Sequence, residues 1–98
     1  MILEHAVLNI KPGLSKAFEA AMAEARPLIA ETPGFQKMEL RACHETKDRY
    51  LLLVWWGSIE AHTQGFRGSS RYAEWCQLMH KFYAPFPIVQ HYTAPLTP

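Results

Sequence analysis

Several things are scarce in this chain, and each scarcity closes off a class of protein. It has two cysteines in 98 residues. Cys43 and Cys76 lie far apart with no CxxC spacing, so they read as two buried small hydrophobes in a reducing compartment rather than as metal ligands or a redox pair. No basic run occurs either: ten Lys plus Arg face nine Asp plus Glu, for a formal charge of +1. Nucleic acid is therefore not an expected partner. No apolar run reaches membrane-spanning length, and the opening Met1-Ile2-Leu3-Glu4-His5 lacks the basic region, apolar stretch and cleavage site of a secretory leader. A cytoplasmic protein that does not engage membranes is expected. There is no internal repeat and no low-complexity segment.

What is present is a globular composition, 49% hydrophobic and 19% charged, in a chain long enough for one core and not for two. A single domain over residues 1–98 is expected. The stretch that organises it is Tyr50 to Trp56. On a strand, Tyr50, Leu52, Val54 and Trp56 point one way, and Leu51, Leu53 and Trp55 the other. Both sides are apolar, so both must be covered.

Around this stretch the pattern alternates between strand and helix periods. Ile2 to Ile10 reads as a first strand, with Ile2, Ala6, Leu8 and Ile10 sharing a face with Glu4, and Leu3, His5, Val7 and Asn9 sharing the other. Lys11-Pro12-Gly13 stops it. From Leu14 the apolar stripe Leu14, Phe18, Ala21, Met22, Ala25, Leu28 and Ile29 predicts a helix ending before Thr32-Pro33-Gly34, with a kink or separate last turn at Pro27. Phe35 to His44 predicts a second strand, with Met38, Leu40 and Ala42 on one face and Phe35, Lys37, Glu39, Arg41 and Cys43 on the other. The polar run Glu45–Arg49 makes a hairpin into the Tyr50 strand. Ser58 can cap a short helix through His62, broken at Gly65 and Gly68. Ser69 or Ser70 can cap a second piece with the stripe Tyr72, Trp75, Cys76, Met79, Phe82 and Tyr83. Ile88 to Thr93 is the last strand, and Ala94–Pro98 an arm, loose or lying on a partner.

The order strand, helix, strand, strand, helix, strand predicts an α+β, ferredoxin-like fold with both helices on one face of a four-stranded antiparallel sheet. Two helices cover one face only. Covering the other with a second copy of the chain is the simplest remedy, so a homodimer is expected.

The chain resembles the antibiotic biosynthesis monooxygenase family, the dimeric α+β barrels. The resemblance is carried by the first strand running into Lys11-Pro12-Gly13, by Pro33-Gly34-Phe35, by Tyr50–Trp56, and by Glu60-Ala61-His62 leading to Phe66-Arg67-Gly68-Ser69. It implies an apolar cavity between sheet and helices, roofed by the broken second helical segment, and a chemistry without metal or flavin. A phenol or dihydroquinone would be deprotonated and would itself pass an electron to O2, so the protein supplies a base, a dry pocket and orientation. In an aromatic-polyketide-oxidising member the broken helix carries an Asn, a Trp four residues later and a Tyr six residues after that. Here His62, Phe66 and Tyr72 stand at that spacing, and only the Tyr is kept.

The resemblance thus makes His62 the candidate base and Tyr72 the candidate orienting or proton-donating group. The candidate substrate-binding residues are Phe66, Trp75, Arg67 at the cavity mouth, and His5 and Asn9 on the first strand. For each a plainer role is available: a helix-end histidine, a core aromatic, a solvated charge. His91 could neighbour His5 and Asn9, but no close ligand spacing supports a metal, and no cofactor is expected. His44 and His80 read as surface or interface residues. Haem degradation would need Asn9, Trp75 and His80 in a spacing this chain lacks and ranks lower. A non-catalytic small-molecule binder is the other alternative.

Overall fold

The structure, a computed structural model, describes residues 1–97; Pro98, the end of the expected arm, lies outside the described residues. Strand β1 (Ile2–Asn9) leads into helix α1 (Ser15–Ala30), then β2 (Phe35–Ala42), β3 (Arg49–Trp56), a π-helical turn over Ala61–Phe66, helix α2 (Ser70–Met79), a 3-10 turn over His80–Phe82, and β4 (Val89–Tyr92). All strand pairs are antiparallel, in the order β2-β3-β1-β4. This is the α+β ferredoxin-like arrangement that the element order predicts.

Alternation along the two central strands sorts their side chains cleanly. Glu4, Ala6 and Leu8 of β1 and Tyr50, Leu52, Val54 and Trp56 of β3 are buried. Both rows face the helices, and α1 closes over them with Phe18, Met22, Ala25 and Ile29 at helical spacing. From α2 and the turn after it, Trp75, Met79, Phe82 and Tyr83 complete the core. On the other face Leu51, Leu53 and Trp55 are only half-buried.

Four local expectations are corrected. Phe35 does not share the charged face of β2. The register shifts between Phe35 and Lys37, so Phe35 pairs with Trp56 and Lys37 with Trp55; this bulge turns Phe35 onto the core, edge-on to the Trp56 ring at 6.0 Å. Pro27 sets off no separate last turn, because α1 continues through it to Ala30. Ser69 occupies the position before α2 without capping it, because its hydroxyl donates backward to the Phe66 carbonyl at 2.7 Å. Neither cysteine is fully buried: Cys43 lies in the hairpin just past β2 and Cys76 on α2. No helix among the described residues is long and apolar enough to cross a membrane.

Candidate active site

The segment between β3 and α2 brings chemistry over the sheet. Ser58 Oγ accepts the Ala61 N–H at 3.2 Å and starts the turn. The chain then widens: the Arg67 N–H reaches five residues back to the His62 carbonyl at 3.0 Å. Such π turns re-aim side chains that an α-helix would place elsewhere. Here His62 and Phe66 both go inward and are buried. Two glycines allow the approach. Gly34 has φ +91° and a side chain on it would stand 2.6 Å from the Ala61 Cβ. At Gly68 a side chain would collide with the Gln64 carbonyl oxygen.

Beneath this turn the sheet presents Glu4. The side chains of Trp56, from β3, and His91, from β4, stand on either side of it. Glu4 pairs directly with His91 in the strand register. The Trp56 Nε1–H donates to Glu4 Oε1 at 3.0 Å, and His62 Nε2 lies 3.3 Å from the same oxygen. His62 Nδ1 is 2.8 Å from His91 Nε2. The His62 ring also lies nearly parallel to Trp56, 5.2 Å between centroids and 13° between planes. A buried carboxyl is thereby joined to two imidazoles in series.

Electrostatics keep this group close to neutral. Burial is the main cause that pushes the Glu4 carboxyl above its ordinary range, opposed by the Trp56 hydrogen bond and by the charge of Arg67. Burial, then the charges of Arg67 and His91, push His62 down to about 3. A charged Glu4–His62 ion pair would fit the 3.3 Å separation, but desolvation of both partners favours the uncharged pair. Two proton arrangements satisfy the heavy atoms. In one, His91 Nε2–H donates to His62 Nδ1 and His62 Nε2–H to Glu4 Oε1. In the other, the acid proton of Glu4 is donated to His62 Nε2 and the His62 Nδ1–H to His91 Nε2.

The group opens on a cavity of about 80 Å³ whose wall includes Glu4, His62, Phe66, Arg67, Tyr72 and Trp75. That volume exceeds the roughly 30 Å³ of one water molecule and falls well short of the roughly 300–1,000 Å³ of a pocket for a larger organic ligand. A small ring is therefore the natural scale for the enclosed part. Tyr72 stands edge-on to Phe66 at 5.4 Å, and burial, ahead of its Cys76 neighbour, raises its phenol above the usual range. Arg67 is exposed at the rim.

Of the candidate residues, His62, Phe66, Arg67, Tyr72 and Trp75 come together here. His5 and Asn9 do not. They stand on the opposite face of β1 and line a separate groove of about 330 Å³, with Phe86 and Pro87 in the walls of both hollows. Asn9 Oδ1 accepts the Arg49 Nε–H at 2.9 Å, and His5 meets Tyr92 edge-on at 5.5 Å. His91 likewise does not neighbour His5, since the register pairs His5 with Gln90 and puts His91 on the other face. Asn9 is thus divided by the sheet from Trp75 and His80. His80 is no surface residue: half-buried, it lines the cavity and contacts Phe86 edge-on at 4.8 Å.

Sequence reasoning missed Glu4 and His91 as site residues. The signal for Glu4 was visible, a carboxylate in a row of Ile, Ala and Leu. The signal for His91 was not, because it depends on a strand register.

Comparison with known proteins agrees with this fold. Residues 1–78 match the family model described as antibiotic biosynthesis monooxygenase. The chain is 49% identical over 92 residues to the uncharacterized protein YczJ of Bacillus subtilis (strain 168), covering 94% of this chain and 97% of that one. Among solved structures, a Bordetella bronchiseptica protein described only by the same family name superposes with a TM-score of 0.91 at 35% identity, covering 97% of each chain. SnoaB of Streptomyces nogalater, described as a cofactor-independent oxygenase, shares the fold with a TM-score of 0.85 at 16% identity, over 98% of this chain and 94% of that one. By its sequence match and by its fold, the chain belongs to the antibiotic biosynthesis monooxygenase family.

Proposed function

We propose that the protein is a cofactor-independent monooxygenase of the cytoplasm that oxidises a small phenolic or quinol-like aromatic with O2. The observation that carries the reading is the Glu4–His62 pair in the wall of a largely apolar cavity. Deprotonation of the substrate hydroxyl is the step the protein must assist, since a phenolate or hydroquinone anion gives up an electron far more readily than its acid. His62 cannot do this alone, because Nε2 faces Glu4 and Nδ1 faces His91. Glu4 can. Its Oε1 is engaged, while Oε2 has no protein hydrogen-bond partner among the described residues. The base is therefore the pair, with Oε2 as its receiving atom and His62 tuning and holding it. Tyr72 orients the ring from the cavity wall, Phe66 and Trp75 supply flat apolar surface, and Arg67 favours an anionic ligand at the rim. The working unit in this reading is one domain, assembled as a homodimer through the half-buried Leu51, Leu53 and Trp55 on the open face.

The test is aerobic and anaerobic incubation with single-ring and fused dihydroquinones, following product and O2 uptake. Turnover should require O2 and favour single rings. Glu4→Gln and His62→Ala should each lower kcat by about 100-fold or more with a much smaller change in KM. Turnover that persists without O2 would remove the proposal. The small cavity also favours a second reading, a carrier of one small apolar molecule, for which ligands would raise the melting temperature with no product formed.

A further inference from the structure

A proton taken from a substrate by a buried carboxyl has to leave it. We propose that His91 is the outlet of a proton path running from Glu4 through His62 to the edge of the sheet. This rests on the reading of Glu4 and His62 as the base.

Three observations place the path. β4 is an edge strand, and its His91 pairs with Glu4, so both side chains leave the sheet on the helical side. His62 hangs between them from the π turn, at 3.3 Å from one and 2.8 Å from the other. His91 is only half-buried, and its Nδ1 has no protein hydrogen-bond partner among the described residues. A serine or an amide would be enough to satisfy a buried carboxyl. Two imidazoles in series do something more, because each can take a proton on one nitrogen while releasing one from the other.

The step balances without leaving a charge on the path, and the one negative charge it creates stays on the substrate oxygen. It begins with Glu4 as the acid, its proton on Oε1 toward His62 Nε2, and with both imidazoles protonated on Nδ1. The substrate hydroxyl gives its proton to Glu4 Oε2 and its oxygen keeps the electron pair. The Oε1 proton passes to His62 Nε2, the His62 Nδ1 proton to His91 Nε2, and the His91 Nδ1 proton to water. One proton has entered the path and one has left, and the direction of donation is reversed. Run backward, the path brings a proton from water to a product oxygen and restores the first arrangement. Arg67 is the fixed charge whose field reaches both imidazoles. It opposes a lasting cation on either, which suits a path that carries protons by shifting them. Tyr72 and His80 face the cavity from α2 and the turn after it, but neither bridges Glu4 to solvent by a hydrogen bond.

The test follows exchange of the His62 ring N–H with water by NMR of 15N-histidine-labelled protein, in the wild type, His91→Gln and His91→Phe. The Gln carbonyl can still accept from the His62 Nδ1–H, so that variant keeps the support and loses only the transfer. Exchange at His62 should slow by about tenfold or more in both variants. If His91 is a mere prop, its loss loosens His62 and exchange speeds up; faster or unchanged exchange overturns the path. Should His91→Phe fail to fold, His91→Gln carries the result. With a substrate in hand, His91→Gln should lower kcat at unchanged KM, raise the solvent isotope effect, and recover with added imidazole. A wild type that oxidises no dihydroquinone defeats the function proposed above, while the exchange rates still decide the path.

Discussion

Trp55 and Trp56 are neighbours in the chain and strangers in the fold. Trp56 is fully buried, held by a hydrogen bond to Glu4 and by rings of Phe35, His62 and Phe66. Trp55, pointing to the opposite face of the same strand, is half-buried with the Lys37 ammonium 5.0 Å above its ring. Nothing intrinsic to tryptophan separates them. The difference comes from what covers each side: two helices and a π turn over one, the chain's own charged β2 row beside the other. The covered face can hold a carboxyl and an imidazole away from water, with a second imidazole half-buried beside them, and shift their proton affinities. The open face cannot do so by itself. Its half-buried apolar row is where the proposed dimer would form.

The largest expected effect tests this contrast directly. Trp56→Ala should destabilise by about 3–5 kcal/mol, the usual range for deleting a fully buried aromatic, and it also frees the Glu4 oxygen that the indole satisfied. A domain stable by about 5–15 kcal/mol would be near its limit. Trp55→Ala should cost about 1 kcal/mol or less in the isolated chain and should instead weaken self-association. Denaturant melts give the first quantity and sedimentation at several concentrations the second. Equal losses of stability from the two variants would show that the faces are not different in kind.

The same contrast marks how far the sequence could be read. Period-two burial on β1 and β3, period-3.6 burial on α1, and the turn residues between them give the element order and hence the fold. The two halves of the Tyr50–Trp56 stretch also separate as the alternation predicts. Phe35 was misplaced because a one-residue bulge reverses every side chain on one side of it. The candidate site was partly legible: His62, Phe66 and Tyr72 share a wall because they sit on one short connected segment. Glu4 and His91 lie 87 positions apart, and only the β1–β4 register brings them together. His5 and Asn9 were on the correct strand and the wrong face, which alternation alone could have settled once the helical side was known.

A smaller effect concerns the joint that lets the π turn sit over the sheet. Gly34→Ala places a Cβ against Ala61 at 2.6 Å and forces a side chain into positive φ. A cost of about 1–3 kcal/mol is expected, checked by thermal melts. Because Ala61 begins the turn that carries His62, the variant should also disturb the His62 ring signals. The equivalent change at Gly13, where φ is +82° but no atom lies near, should cost less and leave those signals alone.

The covered face also predicts a pH dependence. His62 is held at about 3 against an ordinary 6.5. Between those values the unfolded chain binds a proton that the folded one refuses, so stability falls as pH drops through that window. His91 and His80 are lowered by burial and act in the same sense. Glu4 is raised and acts oppositely, losing stability as pH rises above its ordinary 4.5. The melting temperature should fall by roughly 5–10 °C from about pH 7 to about pH 4, and His62→Phe should remove much of that slope. A wild-type slope unchanged in His62→Phe would mean that the buried imidazole is not what the acid attacks.

The smallest effect belongs to the open face. On edge strand β2, Glu39 accepts Arg41 at 2.7 Å and Lys37 at 2.9 Å, and these partners, Lys37 first, hold its carboxyl below the usual range. The positive side chains of the pairs are well exposed, at 61% and 66%. Solvent screens such pairs, and their value lies more in keeping an exposed edge from recruiting further strands than in holding the fold. Arg41→Gln should therefore move the melting temperature of dilute protein by about 1 °C or less. A drop of several degrees would mean that this row is already desolvated in solution. The open face would then be covered at working concentration, and the contrast between Trp55 and Trp56 would be one between two kinds of interior.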